Sequence, residues 1–165
     1  MPYYDKKDYF LESINSVLNQ THTNLEIIII YDDENKNDLE HIKNCIKNDT
    51  RVKIIFNDNN KGVSYSRNKA ISIAQGKYIA FLDCDDYWEK DKTEVQLNFM
   101  LNHGYDFSHT TYQVINQNGK VAGKIKAREI LEYKKLLQSC DIGLSSVILK
   151  RQLLNHIKFP EIKTK

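Results

Sequence analysis

The sequence predicts a single α/β domain in which a mostly parallel sheet is flanked by helices. Apolar, β-branched runs of strand length at residues 25–31, 52–56 and 78–82 alternate with stretches whose apolar residues recur at helical spacing. Two of these runs end in paired aspartates, which is typical of sheets whose ligands bind beyond the carboxyl ends of parallel strands. Together these observations favour a parallel sheet with helices on both faces.

The first part of the chain, residues 1–104, carries this alternation. Helices are expected over 8–20, where Phe10 and Ile14 mark the apolar face, and around 39–46. A third helix opens after Gly62 and stops at Gly76, and a fourth covers 92–103 with Gly104 after it.

The second part, residues 105–165, has a different pattern. The sequence predicts a strand over 107–115, a two-residue hairpin turn at Asn118-Gly119, and a strand over 120–125. A helix over 129–138, a strand over 145–149 and a short helix after Lys150 follow. We expect one domain with two halves that meet near Gly104.

Composition excludes several classes of protein. The 165 residues contain 41% hydrophobic and 28% charged residues, which is ordinary for a globular domain. A net charge of +2 with interspersed signs argues against nucleic-acid binding. No apolar run approaches the ~20 residues that cross a bilayer, and no signal segment is visible. Cys45, Cys84 and Cys140 are widely spaced without a C-x-x-C pair, which favours a reducing cytoplasm, including the inner face of a membrane.

The paired aspartates are the strongest functional signal. Asp32-Asp33 ends one predicted strand, and Asp83-Cys84-Asp85-Asp86 ends another. Like charges collected at neighbouring strand ends repel unless a cation compensates them. Mg²⁺ and Mn²⁺ take carboxylate oxygens and share substrate phosphates, so a metal–diphosphate site is indicated. Solvated loops and helix caps are the alternative explanation for each pair alone.

A basic helix start adds to this signal. Asn60-Lys61-Gly62 precedes the third helix, and Arg67 lies within its first turns. Helix N-termini favour anions, and arginine binds phosphate in a fork. A solvated surface arginine is the alternative.

These stretches, in this order and spacing, resemble the family 2 glycosyltransferases, which have the Rossmann-like, A-type nucleotide-sugar-binding fold. The matching stretches are Pro2-Tyr3-Tyr4, residues 16–21, residues 25–33, Asn60-Lys61-Gly62 with Ser66-Arg67-Asn68, and residues 76–86. Residues 142–147 resemble the less constrained acceptor half.

The resemblance implies a role for each matching residue. Tyr4 would lie against the base, usually uracil, and Asp33 would hydrogen-bond to it. Lys61 and Arg67 would contact the nucleotide or its diphosphate, and Asp83 would face the ribose. Asp85, with Asp86 beside it, would carry Mn²⁺ or Mg²⁺ on the diphosphate.

The implied activity is that of a hexosyltransferase in cell-envelope polysaccharide biosynthesis. It would move a sugar, with inversion, from a nucleotide-diphospho-sugar, UDP in most members, to a glycan or lipid-linked acceptor. A carboxylate base would take the acceptor proton. The donor sugar, the linkage and the oligomeric state are not indicated.

Two departures from the family pattern give further expectations. Members begin with a β-branched strand before the Pro-x-Tyr segment, so we expect a gap in the sheet near Met1. The family's base belongs to a Glu-Asp pair that would follow Lys165. Glu161 and Asp141 do not match that pair, so no base is named. We expect a chain that binds donor and metal and transfers sugar poorly.

Rival interpretations remain at this point. A receiver domain also collects aspartates at strand ends, but Arg67 and the hairpin would be unexplained. A nucleotidyltransferase would carry a Gly-rich basic loop after its first strand. A non-catalytic nucleotide-sugar-binding fragment is the third. His109 could face an acceptor, but a surface or core position is the favoured explanation. Trp88 and Tyr87 could line the donor pocket, and packing explains both equally well.

Overall fold

The computed structural model describes residues 1–129, 132–136, 138 and 142–161. The α/β class predicted from the sequence is confirmed. The elements of the first part are, in order, β1 (Pro2–Tyr3), α1 (Lys7–Leu18), β2 (Ile27–Tyr31), α2 (Leu39–Ile46), β3 (Val52–Phe56), α3 (Val63–Ile73), β4 (Tyr78–Ala80) and α4 (Lys92–His103).

The first sheet is parallel and has the order β1-β2-β3. Pro2 lies opposite Ile30, and Ile27 opposite Val52. Alternate residues of β2 join Phe10 and Ile14 of α1 in the main hydrophobic cluster, because successive side chains of a strand point to opposite faces. α3 contacts β1 and β2 without joining that cluster. The sheet is therefore covered by helices as expected.

Aromatic side chains hold β1 in place. The ring of Tyr3 stacks on Tyr31 with centroids 5.1 Å apart and meets Phe10 edge-on at 5.4 Å. All three side chains are fully buried. The hydroxyl of Tyr3 donates to Asp38, 2.6 Å away. Residues just before α1 are thus fixed against the carboxyl end of β2.

The elements of the second part are, in order, β5 (Phe107–Ser108), β6 (Tyr112–Ile115), β7 (Val121–Ile125), α5 (Tyr133–Leu136), a 3₁₀ turn (Leu144–Ser146), β8 (Ile148–Lys150) and a second 3₁₀ turn (Arg151–Leu154). β8 lies between β4 and β5 and runs antiparallel to both. β4, β8 and β5 thus form a second sheet, which is antiparallel because a strand from far along the chain lies beside β4.

A cleft of about 740 Å³ is lined in part by residues of β2 and β4. Met1 reaches one part of it, and its amino group donates to the carbonyl of Ile28 at 3.0 Å. Burial lowers the pKa of this amino group. Arg67 is the only member of the predicted donor site that lines the cleft, among the residues described.

Four local predictions need correction or restriction. The strand predicted over 107–115 is interrupted at 109–111, so it forms β5 and β6 separately. The hairpin is present, but its loop has three residues: Asn116 pairs with Lys120, and Gly119 has φ 73°. The strand predicted from Ser145 begins at Ile148. Of the helix predicted over 129–138, only Tyr133–Leu136 falls on described helical residues.

Within the described residues, no helix combines the length and the apolar character that a membrane crossing requires.

Candidate functional site

The acidic loop, residues 83–86, follows β4 and turns through a hydrogen bond from the amide of Asp86 to the carbonyl of Asp83. Its three carboxylates have three different partners. Asp83 binds Arg67, Asp85 binds Lys6, and Asp86 binds Ser145. The loop thus collects one contact from α3, one from the segment before α1 and one from the 3₁₀ turn of the second part.

Arg67 and Asp83 are joined by two hydrogen bonds. One guanidinium nitrogen, Nη2, lies 2.7 Å and 2.9 Å from the two carboxylate oxygens. The guanidinium also lies over the ring of Phe159, 5.4 Å from its centroid. Its Nε is buried and has no hydrogen-bond partner among the described residues. Two residues predicted to contact the donor therefore contact each other and leave one donor group of Arg67 free.

Asp85 and Lys6 form an exposed ion pair at 3.1 Å, with 45% of each side chain accessible. The hydrogen bond to Asp85 raises the pKa of Lys6. Exposed pairs of this kind contribute only about 0–1 kcal/mol. Asp85 can therefore exchange this partner for another cation at small cost.

Asp86 is held from the second part of the chain. The hydroxyl of Ser145 donates to Asp86 Oδ2 at 2.5 Å and accepts from the amide of Asp83 at 3.2 Å. Burial raises the pKa of Asp86, and the charges of Asp83 and Asp85 raise it further. Excess negative charge at this loop is what a bound cation would relieve.

Ser145 belongs to the candidate site, although the sequence analysis did not name it as a site residue. Its carbonyl also accepts from the indole Nε1 of Trp88 at 2.7 Å. Trp88 packs against the main hydrophobic cluster, so packing accounts for it, whereas Tyr87 is 45% exposed. The only signal for Ser145 was its place in the stretch 142–147.

The acidic pair at the end of β2, Asp32-Asp33, was predicted to contribute to a metal–diphosphate site, but Asp32 instead bonds protein groups. Asp32 is buried, and its carboxylate accepts from Asn57 Nδ2 at 2.7 Å and from the amides of Lys61 and Gly62, both at 2.8 Å. Gly62 has φ 87°, a conformation that side chains disfavour. Asp32 therefore anchors the turn that precedes α3, a role that no local pattern indicated.

Asp33 is also buried, and its Oδ1 accepts from the amide of Asn35 at 3.0 Å. Lys61 is exposed and is placed by its backbone contact to Asp32. Tyr4 is 54% exposed. The side chains of Tyr4 and Lys61 are thus accessible to a ligand.

Both acidic strand ends border the same short segment. The amide of Asp32 donates to the carbonyl of Tyr3 at 2.8 Å, and the thiol of Cys84 donates to the carbonyl of Pro2 at 2.9 Å. Burial raises the pKa of that thiol to about 12. Pro2 and Tyr3 therefore lie between the two ends, as parallel topology predicts.

The described acids do not form a complete metal site. Among the described residues, no group of three acidic, histidine or cysteine side chains converges to hold a metal ion unaided. Two neighbouring carboxylates remain at the loop, Asp85 and Asp86. This donor set suits Mg²⁺ or Mn²⁺, which bind through one or two carboxylates and complete their shell with water and substrate phosphate.

Asn68 connects α3 to the segment 159–161. Its side-chain amide donates to the carbonyl of Phe159 at 3.0 Å and accepts from the Phe159 amide at 2.9 Å. It also donates to Glu161 at 3.1 Å. The ring of Phe159 meets Phe81 edge-on at 5.5 Å. This segment is therefore docked beside Arg67.

His109 follows β5, and burial lowers its pKa. Neither ring nitrogen has a hydrogen-bond partner within the described part of the chain. No described contact joins it to the acidic loop. Asp141, the other carboxylate considered near the end of the chain, lies outside the described residues.

Comparisons with known proteins agree with this architecture. The family model described as glycosyl transferase family 2 matches residues 1–159. The chain is 39% identical over 160 residues to the Escherichia coli UDP-Glc:alpha-D-GlcNAc-diphosphoundecaprenol beta-1,3-glucosyltransferase WfgD, covering 97% of this chain and 62% of that protein. The chain thus spans less than two thirds of that relative.

Solved structures show the same fold. Staphylococcus aureus TarS 1–349 matches with a TM-score of 0.80 and 24% identity over 99% of this chain and 50% of that one. TarS 1–349 is also solved with UDP-GlcNAc. The mannosyltransferase PcManGT from Pyrobaculum calidifontis, in complex with GDP-Man and Mn²⁺, matches with a TM-score of 0.71 and 13% identity over 97% and 46%.

Proposed function

Since the chain belongs to glycosyl transferase family 2, we propose that it binds a UDP-sugar and a divalent cation as part of an enzyme that transfers the sugar with inversion. The observation that carries the proposal is the acidic loop, whose three carboxylates meet Arg67, Lys6 and Ser145 beside the Pro2–Tyr3 segment. Family membership removes the receiver-domain and nucleotidyltransferase interpretations.

The nucleotide would occupy the edge where β2 and β4 end. Tyr4 is exposed and would lie against the base, with Asp33 as its hydrogen-bond acceptor. Lys61 lies in the turn anchored by Asp32, just before α3, where anions are favoured. The roles of Tyr4 and Lys61 rest on their accessibility and on the family resemblance, and the role of the buried Asp33 rests on the resemblance alone.

Arg67 and Asp83 would serve the ribose and diphosphate. The bond between them keeps the guanidinium beside the acidic loop, and its buried Nε, which has no partner among the described residues, would reach a ligand oxygen once the side chain shifts. Arginine binds phosphate in a planar fork, which a lysine cannot reproduce. Asp83 would in turn accept from a ribose hydroxyl.

Asp85 and Asp86 would hold Mn²⁺ or Mg²⁺ together with the donor diphosphate. The raised pKa of Asp86 means that its negative charge is disfavoured, and a metal ion would compensate that charge. The ion pair between Lys6 and Asp85 is exposed and weak, so a metal ion could take the place of Lys6. A bound divalent cation would neutralise the charge that builds on the leaving diphosphate. Mn²⁺ is the ion bound in the structurally similar mannosyltransferase.

The acceptor is proposed to be lipid-linked. WfgD, by its name, acts on a GlcNAc-diphosphoundecaprenol. Such an acceptor would place this chain at the inner face of a membrane, in the synthesis of cell-envelope polysaccharide. Residues 1–104 would bind the donor, and residues 105–165 would form part of the acceptor half. Inversion also requires a base for the acceptor hydroxyl, and no described carboxylate is assigned to it.

Thermal unfolding tests the donor site. We expect UDP with Mn²⁺ to raise the melting temperature of the chain, and Asp85→Asn to abolish most of that rise. Asp91→Asn is the matched control, because Asp91 is exposed, lies near the loop and makes no side-chain cap bond. Equal stabilisation of both variants by UDP–Mn²⁺ would remove the metal assignment.

Turnover is measured separately with a radiolabelled UDP-sugar panel and lipid-linked acceptors. Stabilisation by UDP–Mn²⁺ without turnover would favour the binding-fragment interpretation. Turnover comparable with full-length relatives would establish the enzyme and would contradict the expectation that this chain transfers sugar poorly.

A further inference from the structure

The β6–β7 hairpin presents an exposed cluster of cations. Lys120, Lys124 and Lys126 are all exposed, and none of them forms an ion pair with any residue that the structure describes. Residues 107–128 contain no Asp or Glu at all. The two strands pair only with each other. The hairpin thus carries an unbalanced positive charge.

The two faces of the hairpin differ. Gln113 lies opposite Lys124, and Tyr112 opposite Ile125, so Lys124 and Tyr112 are on different faces. Tyr112 and Ile125 are half-buried. An apolar side chain accompanies Lys124 on the outer face: Val121 pairs with Ile115, two residues from Gln113, and is 58% exposed. The exterior is therefore both basic and apolar.

The Tyr112 face of the hairpin packs against the segment that carries Ser145, a residue of the candidate site. A Cβ built on Gly143 would meet the ring of Tyr112 at 3.0 Å, so the ring rests directly on that backbone. Two residues later, the hydroxyl of Ser145 bonds to Asp86. A surface bound by the hairpin would lie close to the acidic loop.

We propose that this hairpin binds the headgroups of an anionic membrane and so presents the candidate site to the lipid surface. The inference rests on the proposed lipid-linked acceptor. Lysines are attracted to anionic headgroups, and the exposed Val121 on the Lys124 face can enter the headgroup boundary. RNA is the other polyanion to consider, but single-stranded RNA surfaces use exposed aromatic rings, and the ring of Tyr112 is committed to Gly143.

Flotation with lipid vesicles tests the proposal on the whole chain. We expect binding to vesicles that contain phosphatidylglycerol, little binding to pure phosphatidylcholine, and loss of binding at high salt. The variant Lys120→Gln/Lys124→Gln/Lys126→Gln should bind the anionic vesicles on the order of 100-fold more weakly, from the typical attraction per lysine.

The matched control removes the same charge elsewhere. Lys43, Lys47 and Lys90 are exposed and lie outside the hairpin, so Lys43→Gln/Lys47→Gln/Lys90→Gln should retain vesicle binding. An equal loss in both triple variants, equal binding to neutral vesicles, or no vesicle binding would overturn the proposal. So would a poly(U) affinity that exceeds the vesicle affinity and falls only in the hairpin variant.

The UDP–Mn²⁺ melting shift, measured on the same variants, separates this proposal from the previous one. It should be unchanged in the hairpin variant. Vesicle binding without a UDP–Mn²⁺ shift would refute the donor site alone, and a UDP–Mn²⁺ shift without vesicle binding would refute the membrane contact alone.

Discussion

Replacement of Asp32 by asparagine tests the anchor of the turn before α3. The carboxylate is 3% exposed and accepts three hydrogen bonds, two at Oδ1 and one at Oδ2. In Asp32→Asn, one oxygen becomes an NH₂ group that faces an N–H donor in either orientation. The remaining oxygen also loses its charge, and hydrogen bonds to charged acceptors are roughly twice as strong as neutral ones.

The loss can be estimated from these contacts. An unsatisfied buried donor costs ~1–3 kcal/mol, and the weakened bonds add to it, so we expect the free energy of unfolding to fall by about 3 kcal/mol. A domain is stable by ~5–15 kcal/mol, so the variant should remain folded. Urea unfolding followed by circular dichroism measures the change.

The same substitution should weaken UDP binding. The amides of Lys61 and Gly62 lose their anchor, so the start of α3 is no longer held in the binding conformation. We expect UDP affinity, measured by calorimetry at a temperature where the variant is folded, to fall on the order of tenfold, which corresponds to about 1.4 kcal/mol.

Asp58→Asn is the matched control, because Asp58 lies in the same turn, is exposed and makes no side-chain hydrogen bond within the described structure. It should change the unfolding free energy by less than about 0.5 kcal/mol. If Asp32→Asn were no more destabilising than Asp58→Asn, the anchoring argument would be refuted. Lost UDP affinity at unchanged stability would instead mean that Asp32 contacts the ligand itself.

Three further substitutions have definite expected outcomes. Gly143→Ala should lower the unfolding free energy by ~1–3 kcal/mol because its Cβ would press on the Tyr112 ring, whereas Gly123→Ala, with nothing within 4 Å, should not; urea midpoints compare them. Ser145→Ala should weaken Mn²⁺–UDP affinity several-fold by freeing the acidic loop, with Ser145→Thr restoring it; calorimetry decides, and an unchanged affinity in the alanine variant would contradict the role. Burial lowers the pKa of Lys92 to about 7, so the folded state disfavours its charge. Lys92→Met should therefore raise the unfolding free energy at pH 6 by about 1 kcal/mol, allowing for partial exposure and the favourable ring contact, and the gain should shrink as pH rises from 7 towards 10; a gain independent of pH would contradict this assignment.

Elements that depend on local patterns were predictable. α4 begins and ends where its apolar spacing and Gly104 indicate, with Gly104 at φ 70°. β2 was recognised as a buried strand because it is a nearly continuous β-branched run, and β3 was recognised as a strand, although it is only half-buried, with Lys53 and Phe56 exposed. The interruption between β5 and β6 at residues 109–111 was not predicted, because His109, Thr110 and Thr111 suit an extended loop as well as a strand.

Contacts between residues far apart in the chain could not be predicted from local sequence patterns. β8 pairs with β4 across about 70 residues, which turned an expected parallel neighbour into an antiparallel one. The charge cluster at 83–86 was visible in the sequence, but its partner Ser145 was not, because a serine in a short 3₁₀ turn carries no distinctive signal. Asp32 was recognised as part of an acidic pair, while the turn it holds lies about 30 residues away.

The docking of Asn68 on Phe159 has a mechanical consequence. The side-chain amide of Asn68 bonds both the N–H and the C=O of Phe159, as a neighbouring strand would, so the segment 159–161 is tied to α3 at this residue. Phe159 also lies against the guanidinium of Arg67. We therefore expect a ligand that draws Arg67 away from Asp83 to disturb its contact with Phe159, which would couple occupancy at the acidic loop to the 159–161 segment.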